Sequence, residues 1–181
     1  MQKLRFLLSG SGGQGVITMA IILAEAAVLH EGRIAVQSQS YGPEARGGAT
    51  RSDVIISDSE IFFPKVTQPG ILVALTNESA GRYMPPIRPG GLCLYDSDLV
   101  QPSHRIDAVL VGMPMFKAVT EQFGTAQNFN ICVLGALAAL TKAVAPDSLE
   151  KALASRFRPE FHAMNSKALL LGAELAAARN A

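Results

Sequence analysis

The glycine-rich stretch Gly10-Ser11-Gly12-Gly13-Gln14-Gly15 decides how the rest of this chain is interpreted. It follows an apolar run, Leu4 to Leu8, that is typical of a β-strand, and precedes an apolar stretch, Val16 to Leu29, that predicts a helix. Strand, glycine turn and helix open many nucleotide-binding units, where N–H groups at the helix start hold a phosphate. The stretch therefore predicts an anion site, although a tight turn without a ligand would look the same.

Each glycine of this turn has an expected role. Gly10 is expected to reverse the chain with a positive φ, which glycine reaches at little cost because it has no Cβ. Gly12 and Gly13 would let a ligand approach the backbone, and Gly15 would let the helix start pack closely on the strand. With Ser11 and Gln14, these glycines form the predicted binding loop.

The remaining apolar runs and turn residues predict an α/β fold, with a mostly parallel, Rossmann-like sheet flanked by helices and a helical C-terminal third. We expect one domain over residues 1–181. The strands are expected at 33–40 (near a sheet edge), 50–57, 71–76, 92–95 and 107–111. Further helices are expected at 78–83, 114–124, 131–144 (capped by Asn128 or Asn130), 148–157 (capped by Asp147) and 162–179.

The end of the second predicted strand argues against a dinucleotide cofactor. A NAD or FAD site of this type places Asp or Glu there to bind a ribose hydroxyl. This chain has Gln37, Ser38, Gln39 and Ser40 instead. At another strand end, Asp96 and Asp98 could reach a metal ion, but a solvated turn is the favoured interpretation.

A second loop, Tyr41-Gly42-Pro43-Glu44-Ala45-Arg46-Gly47-Gly48, is predicted by its Gly-Pro and Gly-Gly pairs. It combines an aromatic ring, a carboxylate and a guanidinium in Tyr41, Glu44 and Arg46, a mixture enriched at interfaces and ligand sites. We therefore interpret it as an interface or active-site-facing loop in preference to a solvated turn.

Bulk properties narrow the class of protein. With 181 residues and a net charge of +1, the chain lacks the basic field of a nucleic-acid-binding protein. Its 49% hydrophobic content indicates surface that is buried against other chains. No run is long enough to span a membrane and no signal-like segment is present, so we expect a cytoplasmic protein. The two cysteines form no Cys-x-x-Cys motif, so no iron–sulfur cluster is expected in this chain. The usual thiamine diphosphate motif is also missing, so this cofactor is not expected here either.

Four stretches together resemble the gamma subunit of 2-oxoacid:ferredoxin oxidoreductases. They are the glycine loop, residues 40–48, Phe63-Pro64-Lys65-Val66 and Leu134-Gly135-Ala136-Leu137. The resemblance covers nearly the whole chain. The Glu-Ala-Arg-Gly-Gly form of the second loop is most similar to the 2-oxoglutarate branch of the family.

The resemblance implies a role within a larger enzyme that oxidatively decarboxylates a 2-oxoacid, joins the acyl group to coenzyme A and reduces ferredoxin. Thiamine diphosphate would lie between the alpha and beta subunits, and iron–sulfur clusters in partners such as a ferredoxin-like delta subunit. The gamma subunit would lie beside the active site and take part in coenzyme A capture, carrying no catalytic residue or metal and being inactive alone. The alternative from the residues is a free-standing nucleotide-binding component of a flavin or nicotinamide reductase.

Overall fold

The computed structural model describes residues 3–40, 49–102 and 106–179. Their strands are β1 (Lys3–Gly10), β2 (Ile34–Ser40), β3 (Thr50–Ser57), β4 (Ile71–Ala74), β5 (Gly91–Asp96) and β6 (Ala108–Met113). Their α-helices are α1 (Val16–Glu25), α2 (Asn77–Tyr83), α3 (Met115–Phe123), α4 (Phe129–Thr141), α5 (Pro146–Arg156) and α6 (Pro159–Arg179). A π-helical turn, Ala26–His30, continues α1.

The described strands form a six-stranded sheet in the order β2-β3-β1-β4-β5-β6. The pairings β1–β4, β4–β5 and β5–β6 are parallel. Strand β3 is antiparallel to both of its neighbours, β2 and β1. The prediction of a mostly parallel α/β sheet is confirmed, as is the position of β2 at an edge. The reversed strand β3 lies between β2 and β1, so strands that are close in sequence order are not all neighbours in the sheet.

Alternating side chains divide the core between the two faces of the sheet. Phe6 and Leu8 of β1 contact the larger core, which α1, α3, α4, α5 and α6 cover. Leu7 points to the opposite face, where α2 and the buried loop residues Val66 and Val100 cover a smaller core. This period of two is what a strand buried on both faces requires.

The helical C-terminal third is built around α4, whose body is apolar on nearly every side. It packs between the sheet-facing helices and α6, and nine of its thirteen residues are buried. Helices α4 and α6 approach closely where Gly135 faces the backbone of Leu169 and Gly172 faces the backbone of Cys132. None of the helices in the described part of the chain is long and apolar enough to cross a membrane.

Two helix caps differ from the predictions. Asn128 is the N-cap residue of α4, but its side chain caps nothing and instead donates to Asn165 Oδ1 of α6 at 2.7 Å. Helix α5 begins at Pro146 with Ala145 as its N-cap, so Asp147 lies inside the first turn. The prediction that Asp147 caps α5 is wrong because proline, which lacks an N–H, occupies the first helical position without cost.

Candidate anion-binding site

The glycine loop lies at the carboxyl ends of two neighbouring parallel strands, β1 and β4. The helices that follow these two strands pack on opposite faces of the sheet. After β1 the chain enters α1, whose Met19 and Leu23 join the larger core. After β4 it enters α2, whose Ala80 and Tyr83 join the smaller core. Between β1 and β4 this leaves a crevice at the carboxyl ends of the strands, the usual ligand position in open α/β sheets.

Gln14 ties the loop across this crevice. Its side-chain Oε1 accepts a hydrogen bond from the Ser11 N–H at 2.7 Å, and its Nε2 donates to the Leu75 carbonyl at 3.3 Å. The Gln14 N–H donates to the Ser11 carbonyl, which closes a tight turn. This bridge joins residues 61 positions apart, and no local sequence pattern indicates it.

The loop leaves the first turn of α1 able to accept an anion. Gly15 is the N-cap residue, in the left-handed region with φ of 71°, and within the described chain no side chain caps this helix. Gly13 has φ of 87°, and a Cβ at Gly12 or Gly13 would meet no heavy atom of the described residues within 4 Å. The first N–H groups of α1 and the positive end of its dipole therefore have no side-chain partner among the described residues.

Two glycine roles differ from their predictions. Gly10 is the last residue of β1, paired with Thr50, and is not among the positive-φ glycines, so the chain does not reverse there. A Cβ on Gly10 would instead collide with the Gln14 side chain. Gly15 makes room for Asn130 of α4 and not for the strand. The reversal falls at Gly13 and Gly15 because Gly10 keeps its ladder pairing.

The residues on either side of the second predicted loop lie at the same end of the sheet as the glycine loop. Tyr41, Glu44 and Arg46 lie outside the described residues. Ser40 pairs with Arg51, and Thr50 pairs with Gly10, so the chain leaves and re-enters the sheet at the edge that carries the glycine loop.

The segment after β3 is held by a partly buried polar cluster. Arg51 Nε and Nη2 donate to the two carboxylate oxygens of Asp53, at 2.7 and 2.8 Å, and Nη2 also donates to the Val66 carbonyl. Asp53 in turn accepts from the Val66 N–H at 3.0 Å, and Ser38 Oγ donates to the Pro64 carbonyl. The Asp53 carboxylate raises the pKa of Arg51, so the guanidinium stays charged, and its hydrogen bonds hold the Phe63-Pro64-Lys65-Val66 stretch in place.

Asp96 proves to be a structural carboxylate. It is fully buried at the end of β5, where its oxygens accept from the N–H groups of Asp98, Leu99 and Phe116 at 2.9, 3.1 and 2.7 Å. Burial raises its pKa, against the lowering effect of these bonds. The interpretation as a solvated turn holds for Asp98, which is exposed in a turn after β5, but is wrong for Asp96, because its carboxylate anchors the start of α3.

The end of β2 is not placed to bind a ribose beside the glycine loop. Strand β3 separates β2 from β1, a distance of about 10 Å between strand axes. Gln37 Nε2 donates to Ser52 Oγ at 2.7 Å, so the edge-strand polar groups are engaged within the hairpin. This arrangement disfavours a dinucleotide site independently of the missing acid.

Comparisons with known proteins place the chain in a family. A family model described as pyruvate ferredoxin/flavodoxin oxidoreductase matches residues 5–175. The 2-oxoglutarate synthase subunit KorC of Methanocaldococcus jannaschii is 45% identical over 148 residues, covering 81% of this chain and 79% of that protein. The KorC subunit of Methanothermobacter marburgensis is 39% identical over 174 residues, covering 93% and 94%.

Two solved structures are also similar to this chain. The gamma subunit of a keto/oxoacid ferredoxin oxidoreductase from Geobacter sulfurreducens superposes with a TM-score of 0.88 at 41% identity, covering 97% of this chain and 99% of that one. A 2-oxoglutarate:ferredoxin oxidoreductase from Magnetococcus marinus shares the fold with a TM-score of 0.88 at 22% identity, over 98% of this chain and 32% of that one. The chain therefore belongs to the pyruvate ferredoxin/flavodoxin oxidoreductase family, as a gamma-type subunit of a 2-oxoacid:ferredoxin oxidoreductase.

Proposed function

We propose that this chain is the gamma subunit of a 2-oxoglutarate:ferredoxin oxidoreductase and that its glycine loop holds an anionic group of coenzyme A. The assignment to 2-oxoglutarate is supported by the KorC relatives, which are named as subunits of 2-oxoglutarate synthase. The observation that carries the ligand assignment is the uncapped start of α1, held open at the crevice between β1 and β4. Coenzyme A offers phosphate groups for such a helix start.

The proposal divides the chemistry among subunits. This chain binds and presents coenzyme A, while thiamine diphosphate and the iron–sulfur clusters reside in the alpha, beta and ferredoxin-like delta partners, and the complex passes electrons to ferredoxin. The Magnetococcus marinus relative in fold was solved with 2-oxoglutarate, coenzyme A and succinyl-CoA bound, which supports a shared ligand set. A cytoplasmic location is supported by the two cysteines, Cys93 and Cys132, which are both buried and free.

The geometry favours coenzyme A over the alternative of a flavin or nicotinamide. Recognition of a dinucleotide ribose needs a carboxylate at the end of the strand next to β1. On the side of β1 away from β4, that neighbour is the reversed strand β3, so its carboxyl end lies at the opposite edge of the sheet. This supports a phosphate site at the glycine loop without a ribose site beside it.

The test is the Gly12→Ala variant in the assembled enzyme. A Cβ at Gly12 touches no heavy atom of the described chain and Gly12 has no positive φ, so the fold should tolerate it. A ligand phosphate at the loop would meet the methyl group. We expect the apparent affinity for coenzyme A to fall about tenfold or more, equivalent to about 1.4 kcal/mol, with assembly unchanged.

Gly81→Ala is the matched control. Gly81 lies in α2, has open space at its Cβ position and no positive φ, and is away from the loop. It should leave coenzyme A affinity at the wild-type value. If Gly12→Ala binds coenzyme A as tightly as Gly81→Ala does, the glycine loop is not the anion site.

A further inference from the structure

A second polar pocket adjoins the glycine loop where three helices begin. It has a volume of about 210 Å³. Its walls come from the first turn of α1, the start of α4, the first two turns of α6 and the residue that follows α5. The lining residues are Thr18, Gln127, Asn128, Asn130, Ile131, Phe157, Phe161 and Asn165.

The pocket contains a buried amide pair with unused hydrogen-bonding capacity. Asn128 and Asn165 are 6% and 3% exposed, and Asn128 Nδ2 donates to Asn165 Oδ1 at 2.7 Å. Asn128 Oδ1 and Asn165 Nδ2 have no partner among the described residues. Because the pair joins one amide nitrogen to one amide oxygen, one acceptor and one donor remain in either orientation of the two amides. Such buried groups are costly unless something satisfies them.

Asn130 lies between the pocket and the proposed anion site. The side chain of Asn130 packs directly against Gly15, the N-cap of α1. Thr18, which lines the pocket, lies one helical turn beyond Gly15, a rise of about 5 Å. A ligand with its anionic group at the loop can therefore place a neighbouring group in the pocket.

The chemistry of the lining selects an uncharged group. Amide and hydroxyl side chains alternate with Ile131, Phe157 and Phe161, and no charged residue of the described chain lines the pocket. The leftover acceptor and donor complement a secondary amide, whose N–H would donate to Asn128 and whose carbonyl would accept from Asn165. The three apolar residues would contact the hydrocarbon on either side of that amide.

We propose that the Asn128–Asn165 pocket binds a secondary amide of the same ligand whose anionic group occupies the glycine loop. This rests on the proposed function, in which the amide belongs to the pantetheine arm of coenzyme A. An ordered water is the competing occupant, since a water also donates and accepts in a polar cavity of this kind. If the ligand amide occupies the pocket, the affinity for coenzyme A depends on Asn128 and Asn165. If water occupies it, that affinity does not depend on them.

The test is the double variant Asn128→Leu/Asn165→Leu in the assembled enzyme. Leucine has a similar shape, and replacing both partners removes the unpaired groups together, so the melting temperature of the chain should stay the same or rise. Equilibrium binding of coenzyme A should weaken about tenfold. Binding of adenosine 3′,5′-bisphosphate, which has phosphates but no amide arm, should be unchanged.

Gly12→Ala separates this proposal from the one on which it rests. It should weaken both probes, since both carry phosphate groups. If the double leucine variant binds coenzyme A like wild type while Gly12→Ala weakens both probes, the pocket holds only water and the amide site is refuted. If Gly12→Ala changes neither probe, the anion site itself is wrong. Equal weakening of both probes by the double leucine variant would also refute the amide site, because the effect would not depend on the arm.

Discussion

At the scale of single residues, burial makes the two thiols of the chain unreactive. Cys93 and Cys132 lie in the core on opposite faces of the sheet, and burial raises the pKa of each thiol from 9.0 to about 12. For Cys132, the nearby Asp96 carboxylate adds to the effect. The folded protein therefore keeps both thiols protonated, as small apolar side chains.

This pKa difference predicts a loss of stability at alkaline pH. From about pH 9 upward the unfolded chain releases the thiol protons, while the folded chain holds them up to about pH 12, so the free energy of unfolding falls over that window. Each thiol contributes a slope of up to about 1.4 kcal/mol per pH unit. Urea unfolding of the chain between pH 8 and 10.5 measures the slope.

The Cys93→Ala/Cys132→Ala variant is the comparison, because other groups also titrate in that range. Its free energy of unfolding should fall less steeply with pH than that of wild type. Identical slopes in the two proteins would show that the thiols ionise equally in the folded and unfolded states.

At the scale of elements, the close approach of α4 and α6 depends on two glycines. A Cβ at Gly135 would overlap the Leu169 carbonyl, and a Cβ at Gly172 would overlap the Cys132 carbonyl. Both obstacles are backbone, which cannot move aside as a flexible side chain can. We expect Gly135→Ala and Gly172→Ala each to lower the free energy of unfolding by about 2 kcal/mol or more.

Thermal unfolding monitored by circular dichroism measures this effect. Gly81→Ala provides the control within a helix, since its Cβ enters open space and alanine favours helix by up to about 1 kcal/mol. It should raise the melting temperature while the other two lower it. A melting temperature for Gly135→Ala equal to that of Gly81→Ala would mean that α4 and α6 separate without cost.

At the scale of the whole molecule, one surface has the character of a subunit contact. Phe62 and Phe63 are 87% and 62% exposed. The backbone after them is held by the Arg51–Asp53 cluster, so the two rings extend from a fixed support. Exposed aromatic side chains on a rigid segment are typical of protein interfaces. This supports a chain that works within a complex.

The predicted loop at residues 41–48 leads to an assembly prediction. Arg46→Ala should leave the isolated chain folded with its melting temperature nearly unchanged. If Arg46 pairs with a carboxylate or phosphate in the complex, losing it costs about 2–5 kcal/mol of association, much of it from the stranded partner. A pull-down with the thiamine-binding subunits, alongside turnover, measures this.

Arg158→Ala is the matched control for that pull-down. The Arg158 side chain is largely exposed, and its ion pair with Glu160 among the described residues is long, at 3.9 Å, and contributes little. It should assemble and turn over like wild type. If Arg46→Ala also behaves like wild type in both assays, Arg46 is an ordinary surface residue.

The sequence by itself determined the elements of this protein, because strands and helices are set by local periodicity and turn residues. The apolar runs around Leu4 to Leu8 and Ile131 to Val144 were enough to predict β1 and α4. The positions of the glycine loop and of the terminal helices were predicted from the same kind of local pattern. The motifs together indicated the family.

Only the tertiary structure decided which distant groups meet. Strand β3 inserts between β2 and β1, Gln14 reaches Leu75, and Asn128 pairs with Asn165 across 37 positions in place of capping its own helix. A sequence pattern shows that a polar group is present but not which partner satisfies it. Asn165 in an otherwise apolar helix face was the one local signal of the pocket. The pairing itself comes from packing α4 against α6, because burial forces each amide to take the partner that the packing brings near.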